Sequence, residues 1–515
     1  MPSPRPASPH ATALSAVASL VGGSTTGPDV EVTGVTLSSQ DVLAGDLYAA
    51  LPGANTHGAR YAAGALEAGA VAVLTDAAGE QVLAEDGIDC PRVVVEDPRS
   101  VVGVVARAVY GTADPALQLV GVTGTNGKTT TAYLISSALT ALGRTTGLIG
   151  TVETRIGDER VKSMRTTPEA TVLHALLAVM VERGVDHCVM EVSSHALSQH
   201  RVDGVVYDVA LFTNLSQDHL DFHPTMRDYF LAKASLFTPE RSRRGIVCVD
   251  DAWGRELADI ATVPVTTVTS LADVEADWRL LPGDDPAAFT LSDGTTSLAL
   301  RSALPGDFNR VNTAMAALAL MASGIPADQA ERALLVDPHV PGRMERVTPA
   351  GDGADPSLPL VVVDYAHTPD AVAAALAALR PATTGALVVV LGAGGDRDRG
   401  KRAAMGRAAA EGADVVVVTD DNPRSEDPAA IRHAVLDGAR EAGTDAELHD
   451  VEGRATAIEA AVRAARSRGP GSVVAVVGKG HETGQEIAGT VHPFDDRVEV
   501  ARALDAITLE RGGVA

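Results

Sequence analysis

Residues 119–131 read Leu-Val-Gly-Val-Thr-Gly-Thr-Asn-Gly-Lys-Thr-Thr-Thr, "LVGVTGTNGKTTT". An apolar run enters a glycine-rich turn, and Lys128 and Thr129 then open a helical stretch. Glycines permit the tight turn, so that backbone N–H groups and a helix N-terminus face phosphate oxygens. In such a loop the lysine neutralises the β- and γ-phosphates and the threonine hydroxyl ligates Mg2+. Gly124, Thr125, Asn126, Gly127, Lys128, Thr129 and Thr130 are therefore the candidate residues for binding ATP or GTP. The pattern departs from GxxxxGK[ST] at one place, where Val122 replaces the first glycine between Gly121 and Gly124.

Outward from this loop, β-branched runs alternate with alanine-rich helical stretches, which predicts an α/β fold. The chain of 515 residues exceeds one core and calls for two to four domains. "ADPA" (113–116) and the group Pro338, Pro341, Gly342 break the pattern, predicting domains at 1–114, 115–341 and 342–515. The expected architecture is a small N-terminal α/β domain, a central P-loop ATPase-type domain with a mainly parallel sheet, and a C-terminal doubly wound, Rossmann-like domain. "TPAGDGADPSLP" (348–359) reads as a surface loop.

In the last domain, "LPLVVVDYAH", "GALVVVLGAGG", "ADVVVVTDDNPR" and "SVVAVVGKGHE" are continuous apolar runs ending in Gly, Asp, His or Arg. Such runs predict a parallel sheet covered on both faces, with ligands at the carboxyl ends of its strands. "DDNPR" (420–424) stands at such an end and sets two acids and one arginine on a turn stiffened by Pro423. A zwitterionic ligand matches that pairing.

The 42 basic and 67 acidic residues give a formal charge of −25, which argues against a nucleic-acid partner. Three cysteines (Cys90, Cys188, Cys248) without a CxxC spacing exclude a disulfide framework and suit a reducing cytoplasm. No run approaches eighteen apolar residues, so membrane insertion is not expected. The N-terminal "HATALSAVASLVGG" is too feebly apolar for a signal peptide and predicts a short amphipathic helix.

"GTNGKTT", with "EVSSHAL" (191–197), "FTNLSQDHLDFH" (212–223), "YFLAKASLF" (229–237), "GDFNRVN" (306–312), "PGRME" (341–345), "DYAHTPD" (364–370), "GAGGDRDRGKR" (392–402), "DDNPR" and "GKGHE" (478–482), resembles the Mur ligase superfamily over nearly the whole chain. The joint presence of "EVSSHAL…QHR", "DHLDFH" and "DDNPR" resembles the branch that adds the third amino acid of the muropeptide. The resemblance implies ATP-driven amide formation. The D-glutamate γ-carboxylate of UDP-MurNAc-L-Ala-D-Glu is phosphorylated, and an incoming amine then displaces phosphate. A cytoplasmic monomer using ATP and Mg2+ is expected.

The resemblance also implies roles. Lys128, Glu191, His219 and Lys233 form the catalytic set, and Thr129, Glu191, His219 and a carbamylated Lys233 hold Mg2+. Read bare, Lys233 on its helix beside Phe230 and Phe237 is a snorkelling lysine; in the family the matching lysine is carbamylated. Asn309 and Arg343 join the ATP site, with Asp364 and His367 on its nucleotide side, so closure of the third domain would complete it. Leu37, Ser39, Asn55 and Thr56 lie at the uridine-diphosphate end, and Thr166, Thr167, Ser193, Gln199 and Arg201 face the sugar and peptide. Related enzymes often read Asp-Ser-Arg where this chain has Ser38-Ser39-Gln40. Arg397, Asp421, Asn422, Arg424, Gly478 and Glu482 would bind meso-diaminopimelate, Arg424 taking the distal carboxylate that L-lysine lacks. The alternatives are the same ligase using L-lysine or another diamino acid, and a folylpolyglutamate synthetase-like ligase. The latter would not need the roughly 110 residues that precede the phosphate loop. A P-loop motor or kinase would need a Walker-B or switch segment, and no convincing one follows.

Overall fold

The computed structural model describes residues 4–349 and 358–512. The predicted surface loop falls largely on 350–357, outside them.

Three sheets carry the chain. The first has five strands, ordered Ser24–Thr26, Arg92–Val94, Ala72–Thr75, Asp46–Ala49, Gly34–Thr36. The N-terminal helix Leu14–Val21 packs Leu14, Val17 and Ala18 into that core, as the sequence predicted.

The second sheet has eleven strands, and the phosphate-loop strand Gln118–Thr123 lies inside it. Its parallel neighbours are His187–Glu191 and Val209–Phe212. Chain order reverses at that strand, so its carboxyl end opens on the crevice where ligands bind in such sheets. Val120 and Val122 face the core built with helices Lys128–Ala141 and Asp307–Ala322. Leu119 faces the opposite core with helix Ala170–Glu182. A strand buried on both faces has no polar side, which is why this run does not alternate. Antiparallel hairpins extend the sheet at both edges, Glu153–Ile156 with Glu159–Lys162 and Ala288–Ser292 with Ser297–Arg301.

The third sheet is ordered Glu345–Val347, Leu360–Asp364, Val473–Val477, Leu387–Leu391, Val415–Val418, Glu447–Asp450. The four predicted strands are its parallel centre. One strand that the sequence did not signal joins at the edge, where Glu345–Val347 runs antiparallel to Leu360–Asp364. An edge strand needs only one partner, so a chain arriving directly from the second sheet can pair in this sense without a crossover helix.

The first two sheets meet around His174, which is fully buried. Its Nε2 lies 3.1 Å from the Asp203 carbonyl and its Nδ1 2.6 Å from the Thr112 hydroxyl. The carbonyl can only accept, so Nε2 carries the proton and Nδ1 accepts from Thr112. Burial pushes the imidazole down to about 4. The unfolded chain binds a proton near 6.5 and the folded chain does not until about 4. Stability from this group is therefore complete above pH 6.5 and lost as pH falls toward 4, by up to about 3 kcal/mol. Thermal melts should show His174→Gln less stable than the native chain at pH 7 but losing less stability between pH 7 and 5. An equal loss in both would contradict this.

Candidate functional site

The phosphate loop is shaped by the end of the neighbouring strand. Asn214 accepts from Asn126 N through Oδ1 at 3.0 Å and from Thr125 N through its carbonyl at 2.9 Å. The Thr213 hydroxyl donates to the Asn126 carbonyl at 2.6 Å. Gly124 has φ +143°, and a Cβ there would sit 1.9 Å from Thr213 Oγ1, so no other residue fits. Lys128 Nζ donates back to the Gly124 and Thr125 carbonyls, both at 2.9 Å. Burial lowers its pKa, with Glu191 and Asp218 opposing.

Glu191 ends its strand beside this loop. Its carboxylate accepts from the Thr129 hydroxyl at 2.9 Å, the Thr151 hydroxyl at 3.0 Å and Thr151 N at 2.8 Å. Lys233 is corrected from a snorkelling residue to a buried one. Its Nζ donates to the Gly124 carbonyl at 2.7 Å and lies 4.6 Å from the centre of the Tyr229 ring. Tyr229 and Phe230 are buried with it, so the helix Met226–Ala234 turns the amine inward. Burial, with Lys128 next in effect, drives the Lys233 pKa well below its ordinary value. His219 stands in the left-handed region at φ +56°, and burial lowers its imidazole to about 4. It is a neutral nitrogen donor at pH 7.

Thr129 and Glu191 are hydrogen-bonded to each other and His219 lines the same cavity; the hydroxyl and carboxylate oxygens suit Mg2+, which takes few protein ligands and keeps several waters. Among the described residues no three His, Cys, Asp or Glu side chains gather closely enough to hold an ion alone.

A cavity of about 640 Å³ takes in Lys128, Thr129, Glu191, His219 and Lys233 together with Thr166, Ser193, Asn309 and Arg343. Arg343, from the segment linking the second and third sheets, donates to Thr129 Oγ1 at 3.2 Å and stacks 4.3 Å from the centre of the Tyr365 ring. Asn309 is buried, bonding the Pro305 carbonyl at 2.7 Å and Asn312 at 3.1 Å. Asp364 accepts from Met344 N and Ala366 N and shapes the turn rather than meeting a cation. His367 lies 3.8 Å from Asp218 across the cleft.

Of the remaining predicted residues, Thr166 and Ser193 line this cavity and the others lie outside its lining. Thr166 bonds Thr151 at 3.0 Å, Thr167 donates to the Glu191 carbonyl at 2.8 Å, and Ser193 N donates to Thr167 at 3.1 Å. Arg201 pairs with Glu169 at 3.1 Å and with Gln199. Leu37 and Ser39 are half-buried beyond the strand Gly34–Thr36, and Asn55 and Thr56 are exposed; none of the four lines the cavity. At the carboxyl ends of the third sheet, Asp421, Asn422, Arg424, Gly478 and Glu482 gather in one cluster. Asn422 Nδ2 donates to Glu482 at 2.9 Å. Arg424, at φ +52°, meets Glu486 at 3.3 Å and the Gly395 carbonyl at 2.6 Å. Arg397 is more exposed and lies 3.6 Å from Asp221.

Sequence reasoning missed the roles of Asn214, Asn312, Tyr365 and Lys479, although each sits inside a quoted motif. Thr151 and Glu486 carried no local signal, because only the fold brings them to Glu191 and Arg424.

Family models match along the chain: Mur ligase family, catalytic domain at 31–110; Mur ligase middle domain at 122–321; and Mur ligase, glutamate ligase domain at 342–480. A UDP-N-acetylmuramoyl-L-alanyl-D-glutamate–2,6-diaminopimelate ligase of Streptomyces avermitilis is 52% identical over 507 residues, covering 97% of this chain and 98% of that one. A UDP-N-acetylmuramyl-tripeptide synthetase of Leifsonia xyli is 48% identical over 510 residues, 97% of each chain. A solved structure of a UDP-N-acetylmuramoyl-L-alanyl-D-glutamate–2,6-diaminopimelate ligase superposes with a TM-score of 0.64 at 33% identity, covering 93% of this chain and 96% of that one. With three family models matched in chain order and relatives about half identical over almost the whole length, the chain belongs to the Mur ligase family.

Proposed function

We propose that this chain is an ATP-dependent amide ligase that joins meso-diaminopimelate to the D-glutamate γ-carboxylate of UDP-MurNAc-L-Ala-D-Glu. The carrying observation is that one cavity takes in the phosphate loop, Glu191, Lys233 and Arg343, while an arginine and acids gather at the strand ends of the adjoining sheet. The name of the relative at 52% identity supports the same reading.

In this reading a carboxylate oxygen attacks the γ-phosphorus, the bond from that phosphorus to the β–γ bridging oxygen breaks, and ADP leaves. The amine nitrogen then attacks the acyl carbon, the C–O bond to phosphate breaks, and phosphate departs while the amine loses a proton. Residues 124–130, with Asn309 and Arg343, bind ATP. Lys128 and Arg343 compensate charge on the transferring group. Bound Mg2+ would be held by Thr129, Glu191, His219 and a carbamylated Lys233, and supplies further neutralisation of that charge. Carbamylation needs a neutral amine to attack CO2 and release a proton, and the lowered pKa of Lys233 supports it. Residues 1–114 would hold the nucleotide end through Leu37, Ser39, Asn55 and Thr56, residues 115–341 the ATP, and residues 342–515 the amino acid. Thr166, Thr167, Ser193, Gln199 and Arg201 would face the sugar and dipeptide.

Arg424 would take the distal carboxylate of diaminopimelate and Arg397 the near one, with Asp421, Asn422, Gly478 and Glu482 around the distal ammonium. L-Lysine would leave Arg424 unpaired, at a cost of roughly 2–5 kcal/mol.

Two outcomes follow for steady-state kinetics. Lys233→Ala should lower kcat by about 100-fold or more, with partial rescue by added small carboxylate ions; near-native turnover without rescue contradicts the carbamate role. Arg424→Ala should lower kcat/KM for meso-diaminopimelate by about 30-fold or more and leave that for L-lysine within about threefold. Equal use of both amino acids by the native enzyme would overturn the selectivity.

A further inference from the structure

Lys479 lies in the middle of the acid–amide cluster, and nothing above gives it a task. Its side chain is fully buried, with Nζ 3.1 Å from Asn422 Oδ1, 3.1 Å from Glu482 Oε2 and 3.6 Å from Asp421 Oδ1. These are the groups placed around the amino acid's distal ammonium. An internal ammonium therefore already occupies one side of that ring of acceptors.

The charges around it do not balance. Arg454, also buried, is matched by Asp496 at 2.7 Å, and Arg424 by Glu486. That leaves Lys479 as the one cation within ion-pair distance of Asp421 and Glu482 among the described residues, with Arg454 acting on both from farther away. One carboxylate is in excess. Asp421 Oδ1 is buried and has no hydrogen-bond partner among the described residues, which marks where a further cation would be received. Gly478 keeps that side open, since a Cβ there would come within 3.3 Å of Asp421 Oδ2.

We infer that Lys479 is a positioning and specificity-determining residue: it cancels one of the two negative charges of this pocket, so that the pocket accepts one ammonium and Arg424 remains free to select a carboxylate beside it. Without Lys479 the pocket would carry two carboxylates with no ion-paired cation, offset only by the more distant Arg454. Those would attract any cationic side chain, and would also draw the Arg424 guanidinium inward. Discrimination for a distal zwitterion over a bare distal ammonium would then fall. This rests on the proposed diaminopimelate reading.

The test uses the full-length enzyme with Lys479→Gln, Lys479→Met and Lys479→Arg. The glutamine keeps hydrogen bonding to Asn422 and Glu482 without the charge, and carries the test if the methionine variant does not fold. With Gln or Met, KM for meso-diaminopimelate should rise about tenfold or more, the scale of one close charge interaction. KM for ATP should stay within about twofold, and the preference for meso-diaminopimelate over L-lysine should shrink by a similar factor of about ten. Arginine should restore most of both. A glutamine variant with native KM and native preference overturns the inference. A native enzyme with no preference for meso-diaminopimelate instead overturns the reading on which it rests.

Discussion

Two ammonium groups share one carbonyl oxygen. Lys128 and Lys233 both donate to Gly124 O, at 2.9 and 2.7 Å, and among the described residues neither has a carboxylate within ion-pair distance. Lys233 is fully buried and Lys128 half-buried, and only neutral carbonyls of Gly124 and Thr125 accept from them, so the pair is held against repulsion and desolvation. Burial lowers the pKa of both, and each depresses or is depressed by neighbouring positive charge: Lys128 for Lys233, Arg343 for Lys128. An anion bound beside Lys128 would relieve this arrangement. The loop, the buried helix and the inward-facing arginine all follow from keeping this cluster in place.

The cluster depends on parallel strands ending together. The phosphate loop leaves the end of Gln118–Thr123, Glu191 stands at the end of the strand on one side, and Thr213–Ser216 follows the strand on the other. Asn214 and Thr213 lock the loop backbone from that side, while Thr151 and Thr129 lock the Glu191 carboxylate. The third sheet approaches through Arg343 and Tyr365, and a second bridge comes from Lys162, which donates to Thr483 Oγ1 at 2.6 Å beside the cluster of Lys479 and Glu482. The phosphate loop and the acid–arginine turn are thereby linked across the two sheets.

Motif and period made much of this legible. "LVGVTGTNGKTTT" announced strand, turn and helix, and the four apolar runs of the last domain announced its parallel centre. What stayed hidden was of two kinds. Lys233 read as a snorkelling residue because a helix pattern shows which residues are apolar, not that a lysine among them reaches a carbonyl 109 residues earlier. Glu486 and Thr151 were invisible because their partners, Arg424 and Glu191, reach them only through the hairpin at 484–493 and the strand pairing of 146–149 with 187–190. The antiparallel edge strand at 345–347 is only three residues long, two of them charged, too weak a signal to orient.

The central claim is that the cation cluster transfers a phosphoryl group onto the substrate acid before the amide forms. The direct measurement places 18O in the D-glutamate γ-carboxylate of UDP-MurNAc-L-Ala-D-Glu and follows the label by mass spectrometry during turnover with ATP and meso-diaminopimelate. The account predicts that one labelled oxygen appears in each inorganic phosphate released. Unlabelled phosphate accompanying labelled amide product would contradict it.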